Sequence, residues 1–168
     1  MRSLFIAATA LALAAGPAQA QEIVRKGAAS AAISTSVALP AGSTLVYVSG
    51  LTPDPIPGMA ENDPSRFGDT ETQTRSVLKK INDALAEHGM GPGDVVMMRV
   101  LLVGVPGPGG GKMDFAGMMK AYRQVYGTPQ QPKKPARITS QVVALANPAF
   151  LVEIEATAAK APARPARK

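Results

Sequence analysis

Cysteine and tryptophan are absent from the 168-residue chain, and histidine occurs once. Without cysteine there are no disulfides, thiol nucleophiles or thiolate metal sites, so stability has to come from burial or from association between chains. One imidazole cannot build a zinc, copper or iron–sulfur centre, and any Ser–His chemistry would rest on His88 alone. That residue follows Leu85-Ala86-Glu87 and precedes Gly89, the pattern of a helix C-terminus, where a cation suits the helix dipole. Aromatic residues make up only 4% of the chain. The formal charge is +6, but Arg2, Lys160, Arg164, Arg167 and Lys168 lie at the two ends, and without them thirteen positive charges face twelve negative ones. A body so balanced, with few rings to stack on bases, disfavours nucleic-acid binding.

The ends have characters of their own. Residues 1–20, "MRSLFIAATALALAAGPAQA", carry one positive charge, an apolar stretch from Leu4 to Ala15 and a small-x-small ending at Ala18-Gln19-Ala20. This reads as a signal peptide cleaved before Gln21, which places the protein in the periplasm or outside the cell. As a membrane anchor the stretch falls short of the roughly 20 residues that span a bilayer. At the other end, residues 160–168, "KAPARPARK", alternate Pro, Ala and Lys/Arg. Such a tail cannot build a core and reads as disordered, a basic end that could touch anionic envelope surfaces.

Residues 21–159 are the size of one domain. "STLVYVSG" (43–50) is a β-branched and aromatic strand ending in glycine. "DTETQTRSVLKKINDALAEHG" follows, with Val77, Leu78, Ile81 and Leu85 at helical spacing, Asp69 or Thr70 as cap and Gly89 as stop. "DVVMMRVLLV" (94–103) is apolar nearly throughout, as in a central strand covered on both faces. "MDFAGMMKAYRQVYG" keeps Phe115, Met118, Met119, Tyr122, Val125 and Tyr126 on one helical stripe, read as core. "ARITSQVVAL" (136–145) and "FLVEIEATA" (150–158) close the domain as strands, and an earlier strand is expected within 30–39. The order β-β-α-β-α-β-β implies an α+β fold, with helices stacked on one face of a mixed sheet. The glycine-rich loop at 104–112 is no phosphate cradle, since Pro106 and Met113 stand where a Walker loop needs Gly and Ser or Thr.

Strand parity then singles out charged residues. Phe150, Val152, Ile154, Ala156 and Ala158 form one face of the last strand, and Leu151, Glu153, Glu155 and Thr157 the other. In the strand before it, Ala136, Ile138, Ser140, Val142 and Ala144 form the more apolar set, and Arg137, Thr139 and Gln141 share the opposite face. If the apolar sets pack on the helices, Arg137 and Glu153 project together from the far side of the sheet. In an antiparallel hairpin around 147–148 they would stand about five residues apart, roughly 16 Å, too far for one small substrate. A pocket using both needs a second copy of the chain, associating through a helix-free face carrying Val143, Leu145 and Leu151. The alternative is a structural ion pair of Arg137 with a glutamate across the interface.

In order and over about residues 30–158, "LVYVSG", "TQTRSVLKKINDALAEHG", "DVVMMRVLL", "MDFAGMMKAYRQVYG", "KPARITSQVVAL" and "LVEIEATA" resemble the RidA (YjgF-type) family of enamine/imine deaminases. The resemblance implies a chorismate-mutase-like mixed sheet with two helices on one face, and a homotrimer with clefts between subunits. It also implies a small carboxylate ligand, neither cofactor nor metal, and hydrolysis of 2-imino acids to 2-keto acids and ammonia. In those terms Arg137 grips the substrate carboxylate, Glu153 orients the attacking water and Gly50 offers a backbone contact, with Thr139 and Ser36 lining the site. The chain also departs from the family pattern. Ser36 stands where active deaminases carry tyrosine, Met119 where they carry asparagine, and Ile138 where Ser or Thr follows the arginine. The loops at 52–69 and 104–112 are longer than usual. An exported copy would not meet imines released by pyridoxal-dependent enzymes inside the cell, so a non-catalytic member that binds a small molecule or a protein is the alternative reading.

Overall fold

The computed structural model describes residues 22–105 and 111–163; the signal reading, most of the glycine-rich loop and the end of the basic tail lie outside these. Six strands and two helices follow in the order β1 (Val24–Lys26), β2 (Ser36–Ala38), β3 (Thr44–Leu51), α1 (Thr70–Ala86), β4 (Val95–Val103), α2 (Phe115–Tyr122), β5 (Ala136–Val142) and β6 (Val152–Lys160). β1 and β2 pair as a small antiparallel ladder, and the other four make one mixed sheet in the order β3-β6-β4-β5. β6 is antiparallel to both β3 and β4, whereas β5 runs parallel to β4. A parallel neighbour requires a crossover rather than a tight turn, and the segment carrying α2 supplies it.

The α+β reading with both helices on one face holds. The hairpin between the last two strands does not: β4 lies between β5 and β6. The Ala-Asn-Pro stretch is therefore a loop, and the apolar β4 becomes a central strand by pairing on both edges. β1 is an addition that three residues of mixed polarity do not announce. β6 also runs on to Lys160, which places that lysine in the sheet and not in the tail.

One core joins the helices to the sheet. Asp69 caps α1 by accepting from the Thr72 amide, and Gly89, at φ 65°, ends it with the Met90 amide donating back to the Leu85 carbonyl, a closure that favours glycine. Between these signals Val77, Leu78, Ile81 and Leu85 face the sheet, while His88 is exposed beyond the last turn. Met98, Val100 and Leu102 of β4 and Val152, Ile154, Ala156 and Ala158 of β6 meet them, all buried. The opposite face of β4 stays open in the chain: Met97 is 39% exposed and Arg99 reaches Glu155 at 3.3 Å across the ladder. The expected cover on both faces is thus present on one only. The far face also differs in make-up from the expectation, since Leu151 packs against the core and Val143 lies past the end of β5. Leu45, Tyr47 (75% exposed), Met97 and Ile138 are its exposed large apolar side chains. Of these, Tyr47 and Met97 border, with Ser49, Arg99, Glu155 and Thr157, a shallow hollow of about 230 Å³.

Candidate functional site

β5 is the edge strand of the main sheet, and the short α2 covers its inner face. In the parallel register Arg137 lies beside Met98 and Thr139 beside Val100, both of which point to the helices. Arg137 therefore faces the helices, and it is Ile138, 48% exposed, that faces away. This overturns the parity assignment of β5 for a physical reason. An edge strand beyond the centre of the core buries neither face fully, so Ser140 among the apolar set and Thr139 among the polar one carried little directional information.

The guanidinium of Arg137 is half-buried against α2. Its centre lies 4.3 Å from the ring centroid of Tyr122 and 5.8 Å from that of Phe115. Its nitrogens donate to thioethers, at 3.2 Å to Met119 Sδ and 3.9 Å to Met118 Sδ. Thioether sulfur is a weak acceptor, and among the described residues no carboxylate pairs with this cation. Loss of hydration lowers its pKa from the ordinary value, with Tyr122 acting the other way. Two residues along the same face, Thr139 Oγ1 is buried without a hydrogen-bond partner. A strong cationic fork and an unpaired hydroxyl on one face leave unused just the donors that an anion would accept from.

The bed under this guanidinium is buried and hydrogen-bonded. Tyr122 is 1% exposed, stacks on Tyr126 with centroids 4.9 Å apart and donates to the Ala32 carbonyl at 3.2 Å. Burial pushes its phenol from 10.0 up to about 12, against the opposing pull of Arg137. Because the folded-state value is the raised one, Tyr122 contributes stability that is complete below pH 10 and is lost as pH climbs toward 12. Urea unfolding monitored by circular dichroism is expected to give an even midpoint up to about pH 10 and a falling one above it.

Glu153 belongs to the other side of the sheet. It lies opposite Leu101 of β4, three positions beyond Met98, the neighbour of Arg137. The two charged groups are thus separated by about 10 Å along the strands and by the sheet itself. The shared face is corrected, while the conclusion that one chain cannot bring them to one small molecule stands on this new geometry. Beside Glu153 the β3–β6 register breaks between Val48 and Leu51, a bulge that brings Gly50 against the carboxylate. A Cβ at Gly50 would lie 2.1 Å from Glu153 Oε1, so glycine is the residue that permits this approach. Gly50→Ala is expected to swing the carboxylate out of place. In a ligand-turnover assay the loss should match that of Glu153→Gln, and combining the two should add little.

The structure therefore gathers the expected site residues as two half-sites, Arg137 with Thr139 and Glu153 with Gly50. Ser36 is exposed in β2, opposite Lys26, and among the described residues no contact joins it to either group. Phe115, Met118, Met119 and Tyr122 were legible as one helical stripe, but their part as the bed of a guanidinium was not. Only the correct parity of β5 would have pointed to it.

The family model described as endoribonuclease L-PSP matches residues 27–160. Among solved structures the chain is similar to YyfB of Yersinia pestis, a protein of unknown function in the conserved Rid family: 27% identity over 76% of this chain and 86% of that one, TM-score 0.56. It is similar to TdcF of E. coli, solved with bound serine, at 26% identity over 73% and 85%, TM-score 0.53. Rv2704 of Mycobacterium tuberculosis, from the YjgF/YER057c/UK114 family, gives 26% identity over 82% and 97%, TM-score 0.51. Among curated proteins none matches.

Proposed function

The chain belongs to the endoribonuclease L-PSP family of YjgF/Rid proteins, and from that premise we propose an exported homotrimer that binds small carboxylates and hydrolyses 2-imino or enamine acids to 2-keto acids and ammonia. The observation that carries this reading is Arg137, a half-buried cation held, among the described residues, by ring faces and sulfur. A planar fork so placed suits the two oxygens of a carboxylate, and Thr139 Oγ1 offers a further donor. Glu153, backed by Gly50 on a neighbouring subunit, completes the site. Its carboxylate takes a proton from the water as it adds to C2 and passes it to the imine nitrogen; the hydroxyl proton of the resulting carbinolamine then follows to nitrogen as the C–N bond breaks, leaving the C2 carbonyl and ammonia. The exposed sheet face around Leu45, Tyr47, Met97 and Ile138 supplies the apolar area that association requires. The E. coli relative is solved with serine, itself a carboxylate ligand.

The family description names an endoribonuclease, but a balanced body charge and a bed fitted to one guanidinium favour a small anion over a polyanion. A second reading rests on Met119 and Ser36. They stand where the resemblance expects an amide and a phenol, which favours a member that retains the grip without the chemistry. The test is release of pyruvate and ammonia from freshly generated 2-iminopropionate by the wild type and by Arg137→Ala. Release that depends on Arg137 supports the deaminase. Equal release by both, or none by either, sinks it, and in the second case Arg137-dependent binding of pyruvate by calorimetry would identify the binding member.

A further inference from the structure

The charge of the body is balanced in sum but not in space. β6 ends at Lys160, opposite Thr44, where β3 begins. Met97, near the start of β4, lies beside Ala136, where β5 begins. At this end of the sheet stand Arg25, Lys26, Lys133, Lys134 and Lys160, whereas Asp54, Glu61, Asp63, Asp69 and Glu71 follow the opposite end of β3. Three of the five cations are held by neutral groups. Arg25 Nη2 donates to the carbonyls of Gly93 and Val95, each at 3.1 Å. Lys134 Nζ donates to those of Ala29 (3.0 Å) and Ala31 (2.6 Å), and Lys160 Nζ to that of Gly89. Carbonyls fix these side chains in place without carrying a counter-charge, and of the three it is Arg25 that Asp94 lies close enough to act on. Lys26 and Lys133 are exposed beside them, and Arg25 Nε is buried with no partner.

These residues border two adjoining hollows. One, of about 320 Å³, is lined by Arg25, Lys26, Lys133 and Lys134 and by no carboxylate. The second, of about 310 Å³, shares Arg25 and Lys133 and adds Lys160, with Glu22 and Asp94 as the acids in its lining. Neither lining includes an aromatic residue, so the surface lacks the stacking platforms of a single-strand binder. Both ends of the described chain, Glu22 and the segment after Lys160, leave from here. The sequence continues beyond the described residues into Arg164, Arg167 and Lys168. A basic segment joined to a basic end leads toward an anionic lipid surface.

We propose that this end of the molecule docks on an anionic bilayer, with Lys26, Lys133 and Lys160 meeting headgroup phosphates and the hydrogen-bonded Arg25 and Lys134 providing a fixed field behind them. Docking here leaves the Gly50–Glu153 half-site at the far end of the strands, away from the lipid. The inference does not depend on what Arg137 binds.

The test is co-sedimentation of residues 21–168, the chain expected after export, with vesicles of phosphatidylcholine, with and without added phosphatidylglycerol, at low ionic strength and at about 0.15 M salt. Binding is expected only to the anionic vesicles, falling as salt is added. Charge reversal of two exposed lysines, Lys26→Glu with Lys133→Glu, is expected to weaken it at least about tenfold, and the milder Lys26→Gln with Lys133→Gln less so. Circular dichroism serves to show that both pairs fold. Equal binding to uncharged vesicles, or indifference to salt, would show that charge does not carry the binding and overturn the proposal. So would wild-type binding by the charge-reversed pair with loss only on deleting residues 164–168, or displacement by inorganic phosphate at matched ionic strength, the mark of a single-anion pocket.

Discussion

Arg137→Ala is expected to lower kcat/KM for 2-imino acid hydrolysis by at least about a hundredfold while leaving the fold intact. Two charge-assisted hydrogen bonds to a carboxylate contribute roughly 1.5–3 kcal/mol each, and about 3 kcal/mol already exceeds a hundredfold in rate. Arg137→Lys is expected to recover little, because a point charge reproduces neither the fork nor the stacking on Tyr122. Stability moves differently. The guanidinium has given up water for ring faces and two sulfur atoms, and that desolvation is what lowers its pKa. Arg137→Met, which keeps an apolar stem on the same bed, is expected to melt at or slightly above the wild-type Tm, the trade-off of a residue kept for binding. A variant that loses activity and also melts well below wild type would mark Arg137 as a structural cation instead. If the chain is a binder, the same split is expected between carboxylate affinity and Tm.

The largest expected loss of stability is at Gln73. Its side chain is 1% exposed and spends all its strong contacts on the backbone. Nε2 donates to the carbonyls of Gly68 (3.1 Å) and Ala149 (3.0 Å), and Oε1 accepts from the Leu151 amide at 2.7 Å. It thus ties the first turn of α1 to the loop that enters β6. Gln73→Leu preserves volume but strands an N–H and two carbonyls, and each buried orphan costs about 1–3 kcal/mol. A total of about 3 kcal/mol lowers Tm by about 10 °C for a domain of this size. In urea the midpoint falls with an unchanged m-value if the loss is confined to the native state. A loss below about 1 kcal/mol would show that water replaces the amide and that the tie is dispensable.

The long elements were legible because burial repeats along them. Val77, Leu78, Ile81 and Leu85 leave no other face for α1, and Asp69 and Gly89 mark its ends. Strand order was not legible. Nothing in the alternation of β6 says that it enters between β3 and β4, since that choice is made by contacts across more than a hundred residues. The two half-sites divide along the same line. Arg137 could be singled out as a cation in a strand, but its direction depended on β5 being an edge covered by a short helix. The approach of Gly50 to Glu153 exists only once a bulge in β3 meets β6. Lys160 read as tail because a lysine before alanine and proline carries no strand signal, and it is the partner, Thr44, that places it in the ladder.

The position of β6 has a kinetic consequence. Until residues 152–160 have been synthesised, β3 and β4 have no strand to join them, and the inner faces of both helices have only part of their cover. Fully two of the three pairings of the main sheet await that segment, so the nascent polypeptide has no stopping point short of it that resembles the finished fold. Such non-local closure makes for slow folding and keeps the chain threadable until late, as the proposed export through a narrow pore would require.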